Sequence, residues 1–302
     1  MALIIRHPDV EDYIVEMSLP DVVSRGGVAD LVETGHIVIL KDFRLQFDFG
    51  ALRQLSRSLD DIADPQLRRH VKKLEAPQFF EQAPSWRKPA FRDPLRQTLL
   101  DTLCRGDRKL FKRTAAALRY AHDEALRIFA AAFPSYEAYR LVPSVRITRT
   151  LFENLHWDDH SIDDDFHQAR VFANLDERLR IWHVSHRVPT IMRKLYEEHD
   201  LGRFAGRDPN ELLNYIHGEV LGGMHKTWMD TQPRHRIAFD PGEVWLGESR
   251  LISHQIYYGE AALVYMWFVR AASMADPANR FNAVVEEVHR SMSEQGNAAA
   301  AE

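Results

Sequence analysis

A histidine and an aspartate stand two positions apart in the run His156-Trp157-Asp158, and a third candidate ligand, His254, follows 96 residues after the aspartate. Side chains at positions i and i+2 of a strand point to the same face, so His156 and Asp158 can both coordinate one ion. Two imidazoles and one carboxylate form a ligand face that holds ferrous iron and leaves positions open for oxygen and a co-substrate. The spacing therefore predicts an oxygen-activating metal centre, provided that the fold brings His254 back to the pair.

The His-x-acid pattern alone is weak evidence, because a chain with 15 histidines and 44 acidic residues should contain roughly two such matches by chance. This chain contains four, which begin at His7, His122, His156 and His217. The first lies near a terminus, and the second and fourth fall in predicted helices. Only His156 is predicted to end a strand. The alternative for this pair is an exposed turn in the acidic segment 158–165.

His254 is predicted to open a strand after the polar bend at 247–251, which itself follows an apolar strand. In a closed barrel, this arrangement returns a ligand to the neighbourhood of the first pair. The alternative is a surface histidine at a bend. Four other histidines fit the role less well, because they are too near the pair in sequence or lie in a predicted helical insertion: His183, His186, His217 and His225.

The elements that must position these ligands follow from apolar periodicity. Strands are predicted at 37–40, 145–151, 169–175, 179–184, 236–239, 244–246, 252–257 and 261–269. The runs at 169–175 and 179–184 are close enough to predict a hairpin. Helices are predicted at 50–62, 107–131, 188–226 and 276–293, with Asp107 and Asp208 as N-caps. Four prolines mark 76–94 as an irregular loop.

This order of elements favours an α+β fold with a double-stranded β-helix, or jelly roll, buttressed by helices. A parallel doubly wound sheet is disfavoured, because strands and helices do not alternate and no glycine-rich phosphate loop follows a strand. We expect one catalytic domain over 1–302, divided into an N-terminal wrap at 1–34, a mainly helical support at 35–141, a jelly-roll core at 142–270 with a helical insertion at 188–226, and a C-terminal helix at 276–293.

Composition narrows the classes of partner. A hydrophobic content of 45% supports a large core, and a net charge of -5 disfavours a general nucleic-acid binder. The single cysteine, Cys104, precludes an internal disulfide and fits a reducing compartment. The sequence predicts neither a signal peptide nor an integral membrane segment. We expect a cytoplasmic protein that acts on a small molecule, and a homo-oligomer remains open. If the protein is instead a non-catalytic scaffold, the helix at 107–131 would be its dimer face.

The pattern of His-x-Asp, a gap usually above forty residues and a distal histidine resembles that of the iron(II)/2-oxoglutarate-dependent dioxygenases, over about residues 35–40 and 142–270. Within that superfamily, the run 170–176 followed by Arg180-Ile181-Trp182 looks like bacterial sugar-acid (Kdo) hydroxylases, and it is also similar to small hydroxylases of amino-acid-like metabolites.

This resemblance implies that His156, Asp158 and His254 bind Fe(II), that 2-oxoglutarate chelates the iron, and that O2 is consumed with release of CO2 and succinate. An aspartate as third ligand favours hydroxylation over halogenation, while desaturation and cyclisation remain open as outcomes.

The chain departs from the family pattern at one position. Many members place a basic residue about ten positions after the distal histidine, but the stretch 259–265 has none. Some relatives place it a dozen positions after the aspartate, where this chain has Arg170. A guanidinium matches a carboxylate bidentately, so Arg170 is the first candidate for the far carboxylate of 2-oxoglutarate. Further candidates for the co-substrate are Arg180, Arg250, Tyr265 and Ser249.

Arginines before and within the predicted barrel favour an anionic substrate, with surface salt bridges as the alternative: Arg87, Arg92, Arg146, Arg149 and Arg170. The insertion at 188–226 is a candidate lid over the barrel mouth. Two other functions are kept open. One is a cupin-type metal enzyme that does not use 2-oxoglutarate, and the other is a non-catalytic binding protein.

Overall fold

The computed structural model describes residues 1–59, 62, 73–80, 99–147, 154–158, 165–220 and 232–300. The α-helices are α1 (Leu19–Ser24), α2 (Ala29–Glu33), α3 (Phe49–Ser58), α4 (Pro77–Phe80), α5 (Arg108–Ala132), α6 (Val188–Leu195), α7 (Pro209–Tyr215) and α8 (Phe281–Ala300). The strands are β1 (Leu3–Ile5), β2 (Ile14–Ser18), β3 (Ile37–Arg44), β4 (Lys73–Glu75), β5 (Ala138–Ile147), β6 (Phe166–Asn174), β7 (Arg180–Arg187), β8 (His235–Phe239), β9 (Glu243–Gly247), β10 (Ile252–Tyr258) and β11 (Ala261–Arg270). Within these ranges, no helix is both long and apolar enough to cross a membrane.

The strands form two sheets. One has four strands in the order β1-β8-β7-β10, and the other has seven in the order β2-β3-β9-β6-β11-β5-β4. All neighbouring strands pair antiparallel except β2 and β3, which are parallel. In the second half of the chain, the backbone crosses from one sheet to the other after β6, β8, β9 and β10, as in a jelly roll. The fold predicted from the order of elements is confirmed.

The predicted hairpin at 169–184 is wrong, although both of its strands exist. β6 pairs with β11 and β9, whereas β7 pairs with β10 and β8 in the other sheet. The connection turns a corner between the sheets, and buried side chains fix that corner. Asn174 donates to the carbonyl of Phe239 at 3.1 Å, and Asp176 accepts from the backbone of Glu260 at 2.9 Å. Each inner face can therefore be buried against the opposite sheet.

The N-terminal segment contributes strands to both sheets, rather than only wrapping the domain. β1 pairs with β8, and β2 pairs with β3 at the edge of the larger sheet. β3 also lies inside the segment that we predicted to be mainly helical, and it pairs with β9. The core sheets therefore begin well before residue 142, because edge strands close to the N-terminus complete them.

Two hydrophobic clusters support the sheets. One lies between the larger sheet and helices α3 and α5, where Phe129 stacks on Trp267 with ring centroids 4.1 Å apart. The other fills the space between the two sheets and is rich in aromatic rings. In it, Trp245 stacks on Phe239 at 3.8 Å and on Phe172 at 5.4 Å. This cluster includes Leu155 and Trp157 on either side of His156, and Ile252 two residues before His254, so core packing holds both candidate ligands in place.

The predicted helices are present with shifted bounds. Asp107 caps α5 through the backbone N–H groups of Lys109 and Leu110, at 2.8 and 3.0 Å, as its position before the helix indicated. The insertion is broken into α6, a 3-10 turn at Leu201–Phe204, α7 and a π-helical turn at Ile216–Val220. Several predicted features lie outside the described residues: the end of the strand at 145–151, the loop after residue 80, the end of the insertion at 221–226, Arg87, Arg92, Arg149 and His225.

Candidate metal centre

The structure brings His156, Asp158 and His254 together, although 96 residues separate the aspartate from the second histidine. The segment 154–158 lies beside β10, where His156 and His254 exchange two backbone hydrogen bonds of 3.0 and 2.9 Å. Each of the three side chains offers one ligand atom, and these atoms all lie within 4.8 Å of one another. The group can therefore hold a single ion.

Backbone carbonyls orient both imidazoles. Nδ1 of His156 donates to the carbonyl of Asn154 at 2.8 Å, and Nδ1 of His254 donates to that of Ile252 at 3.2 Å. Because a carbonyl only accepts, each Nδ1 carries a proton, so that in the neutral imidazole the lone pair lies on Nε2. The Nε2 atoms lie 4.0 and 3.8 Å from the two oxygens of Asp158. Small side-chain rotations can close such gaps onto an ion with bonds of about 2.1 Å.

Asp158 is held as a carboxylate. Burial opposes its ionisation, but the positive charge of Arg170 and its imidazole neighbours outweigh burial and hold the pKa of Asp158 well below its usual range. Arg170 and Ser249 both donate hydrogen bonds to Oδ2, the latter at 2.8 Å. The backbone N–H of Asp158 also donates to the carbonyl of Ser249 at 3.2 Å. These contacts fix one oxygen and leave Oδ1 for a metal.

His254 is suited to bind metal as a neutral ligand. Burial lowers its pKa to about 4, with the neighbouring His156 adding to the effect and Asp158 opposing it. The imidazole is 4% exposed and lies against Trp182, whose ring is 5.3 Å away at 24°. At neutral pH its Nε2 is therefore unprotonated and available to a cation.

We expect Ser249→Ala to weaken metal binding by roughly tenfold without unfolding the protein, because the loss of an outer-shell hydrogen bond to a ligand typically costs 10- to 100-fold in affinity. The measurement is a Co(II) titration followed by visible absorption. Ser249→Thr keeps the hydroxyl and should restore most of the affinity. Equal Co(II) dissociation constants in wild type and Ser249→Ala would show that Ser249 does not position Asp158.

Arg170 and Gln168 form a buried polar pair beside the aspartate. Both lie on β6, and the Arg170 guanidinium donates to Oε1 of Gln168 at 2.9 Å. Arg170 is 3% exposed and Gln168 is fully buried. In the described part of the chain, Nε of Arg170 and Nε2 of Gln168 have no hydrogen-bond partner. Two unused donors next to a metal site are suited to an anionic ligand, since unsatisfied buried donors are costly.

The other predicted co-substrate residues lie elsewhere. Tyr265 faces the helices, where its hydroxyl contacts Nδ1 of His122 on α5 at 2.9 Å. Arg180 lies on β7 two residues before Trp182, about 7 Å away along the strand. Its side chain packs against Gly259, where Nη1 of Arg180 lies 3.0 Å from the position that a Cβ on Gly259 would occupy.

Among the described residues, the contacts of the Arg250 guanidinium are with the helical insertion and the C-terminal helix rather than with His156, Asp158 or His254. Its guanidinium lies over the ring of Phe281 at 4.0 Å and donates to Asn210 at 3.4 Å. It therefore joins the turn after β9 to helices α7 and α8. Ser249, which the sequence offered as a hydroxyl donor for the co-substrate, instead contacts Asp158.

A buried carboxyl, Glu248, was missed from the sequence because an acid in a polar bend looks like a surface residue. It is 2% exposed and lines the same small cavity as His254, Ser249 and Trp245. Its Oε1 accepts from the backbone N–H of Arg250 at 2.8 Å, and Oε2 lies 4.0 Å from Nδ1 of His167. Burial raises the pKa of Glu248 to about 7, against the opposing effect of nearby arginines.

We expect Glu248→Gln to stabilise the protein at pH 8 but not at pH 4. A raised carboxyl pKa means that the native state favours the protonated form, so its contribution to stability is present below the unfolded value of 4.5 and is lost as the pH rises through about 7. A neutral glutamine avoids this loss, which amounts to about 3 kcal/mol. Urea unfolding of both proteins between pH 4 and pH 8 measures the difference, and parallel pH profiles would contradict the assignment.

No family model and no curated protein matches the sequence. Solved structures do match the fold. A Kdo hydroxylase, a non-heme Fe(II) α-ketoglutarate-dependent dioxygenase in complex with cobalt(II), superposes with a TM-score of 0.56 at 13% identity, over 91% of this chain and 95% of that one. The same hydroxylase with α-ketoglutarate and Fe(III) gives 0.52 at 14% identity over the same shares. The resemblance to this superfamily is thereby confirmed at the level of the fold.

Proposed function

We propose that this protein is an Fe(II)/2-oxoglutarate-dependent dioxygenase that hydroxylates a small anionic metabolite and releases CO2 and succinate. The observation that carries the proposal is the convergence of His156, Asp158 and His254 at one end of a jelly-roll barrel. The fold is similar to that of a non-heme Fe(II) α-ketoglutarate-dependent dioxygenase, with a TM-score of 0.56. Fold alone does not define activity, so the donor set and its surroundings must support it.

The donor atoms fit ferrous iron. Two imidazole Nε2 atoms and one carboxylate oxygen are the ligands of non-haem Fe(II) oxygenases, and they leave coordination positions for other ligands. His156 and His254 are 3% and 4% exposed, and their Nδ1 atoms are already occupied by backbone carbonyls. When bound, Fe(II) supplies the activation of oxygen that is coupled to decarboxylation of 2-oxoglutarate. The chain itself fixes the ligand geometry and excludes water from the site.

In this proposal Arg170 binds the far carboxylate of 2-oxoglutarate, with Gln168 as a second donor. The support is geometric: Arg170 is buried against Asp158, Gln168 is buried against Arg170, and each retains an unused N–H among the described contacts. The guanidinium matches a carboxylate in shape and charge. A dianionic co-substrate would also compensate the buried charge of Arg170 when Asp158 turns toward a metal.

The substrate class rests on fewer observations. The similar Kdo hydroxylase is named for a sugar acid, which is consistent with an anionic substrate here. Of the arginines predicted to attract an anion, Arg170 lies at the centre. Arg146 on β5 pairs with Ala262 on β11, and Ala262 pairs on its other side with Asn174 on β6. Asn174 is four residues after Arg170 on the same strand. We therefore propose a carboxylate-bearing small molecule, with a sugar acid or an amino acid as the first choices.

The test is the release of succinate from 2-oxoglutarate by purified protein with Fe(II), ascorbate and air. A panel of sugar acids, hydroxy acids and L-amino acids is then screened for compounds that stimulate the release. We expect iron-dependent succinate formation in the wild type and none above background in His156→Ala. Metal binding without any effect of 2-oxoglutarate would favour a different cupin-type metal enzyme, and undiminished turnover in His156→Ala would contradict the proposed site.

A further inference from the structure

A third imidazole, that of His217, lies beside the candidate metal centre, although it belongs to the helical insertion and not to the barrel. Its ring centroid is 6.1 Å from that of His156, and the two ring planes differ by only 27°. The His217 side chain is half-buried. The insertion therefore places a side chain that can form hydrogen bonds next to the ring of a predicted metal ligand.

The position of His217 is set by packing on the insertion. Helix α7 begins at Asp208, which caps the N–H of Asn210 at 2.9 Å, and it continues into the π-helical turn Ile216–Val220. Ile216 is fully buried in the same hydrophobic cluster as Leu155 and Trp157, which flank His156 in sequence. Single π-helical turns are rare in helices and are frequent at functional sites. Here the turn presents His217 directly after a residue anchored in the core.

A second contact holds the beginning of α7 to the barrel. Arg250, which follows Ser249 in the turn after β9, donates to the side chain of Asn210 at 3.4 Å. The same turn donates the Ser249 hydroxyl to Asp158. The insertion and the metal ligands are therefore connected at both ends of α7, by Arg250 at one end and by the His217–His156 ring contact at the other.

A centre of two imidazoles and one carboxylate would leave coordination positions open for a further ligand. His217 belongs to the helical insertion rather than to the sheets, and its ring lies beside that of His156 with centroids 6.1 Å apart. An imidazole N–H is a strong donor to a charged acceptor, and such hydrogen bonds are worth more than neutral ones. We infer that His217 donates a hydrogen bond to the anionic ligand bound on the open face of the metal centre. The inference rests on the proposed metal site but not on the identity of the substrate.

Azide binding to the Co(II)-loaded full-length protein tests this role without turnover. The visible absorption of Co(II) reports both metal loading and azide binding. We expect the dissociation constant for azide to rise by roughly tenfold or more, relative to wild type, in His217→Ala and in His217→Phe. Both variants lose a hydrogen bond to a charged group. His217→Phe keeps a ring over His156, and His217→Gln keeps a donor and should remain within about threefold of wild type.

The matched control is His199→Ala, which removes a half-buried histidine of the same insertion that contacts Tyr215 at 3.4 Å. It should bind Co(II) and azide as the wild type does. Wild-type azide affinity in His217→Phe, or no azide binding by the Co(II)-loaded wild type, would overturn the inference while leaving the metal centre intact. Failure of the wild type to bind Co(II) would overturn the proposed function as well.

Discussion

His254→Ala is expected to lose stoichiometric Fe(II) binding and to reduce succinate formation by more than about a hundredfold, because removing a ligand costs more than removing an outer-shell partner, for which 10- to 100-fold is typical. Among the described residues, His254 is the candidate ligand on β10, and the hydrogen bond from its Nδ1 to the carbonyl of Ile252 leaves Nε2 for the proposed ion. The two remaining ligands come from the single segment 154–158 and cannot enclose a cation.

The measurements are iron content after anaerobic loading and desalting, and succinate release under saturating 2-oxoglutarate. His183→Ala is the matched control, because His183 lies on the adjacent strand β7 and stacks on Tyr257 with ring centroids 4.6 Å apart, away from the ligands. It should bind one equivalent of iron. Full iron loading of His254→Ala would show that the three side chains do not form the site.

Arg170→Met is expected to raise the KM for 2-oxoglutarate by roughly 30- to 100-fold, which corresponds to losing a charge-assisted, bidentate interaction of about 2–3 kcal/mol. Arg170→Lys should recover only part of the loss, because an ammonium group cannot reproduce the fork of a guanidinium. Arg170 is 3% exposed, so no nearby water can replace it cheaply. The readout is the dependence of succinate release on 2-oxoglutarate concentration.

Arg170 also contacts Asp158, so the dissociation constant for Fe(II) must be measured separately, without 2-oxoglutarate. A rise in the KM for 2-oxoglutarate that exceeds the change in Fe(II) affinity assigns the co-substrate to Arg170. Arg180→Met is the comparison variant, since Arg180 is the alternative buried arginine and lies on β7 in the other sheet. If Arg180→Met raises the KM and Arg170→Met does not, the assignment of Arg170 is wrong.

Most strands were predictable from the sequence, because alternation and β-branched runs are local signals. β6 and β7 lie within a few residues of their predicted bounds. Their pairing was not predictable, since a five-residue connection suits a hairpin and a corner equally well. The choice of a corner depends on burying Phe172 and Trp182 against each other across the two sheets, with ring centroids 5.0 Å apart. That contact exists only in the tertiary structure.

The grouping of His156, Asp158 and His254 was predictable because these residues combine residue type, spacing and predicted strand ends. The surroundings were not. Tyr265 is aligned with Val171 rather than Arg170, and a shift of one position on a strand turns a side chain to the opposite face. Glu248 and His217 carry no local signal that separates them from surface residues. Their positions depend on how the turn after β9 and the helical insertion pack against the barrel.

The most direct measurement is an anaerobic titration of the wild-type protein with Fe(II) and then 2-oxoglutarate, followed by visible absorption. We predict a new absorption band that saturates at one equivalent of iron, requires 2-oxoglutarate, and is missing in Asp158→Ala. A wild-type protein that binds iron but develops no band with 2-oxoglutarate, or an unchanged band in Asp158→Ala, would contradict an Fe(II)/2-oxoglutarate site built by these three side chains.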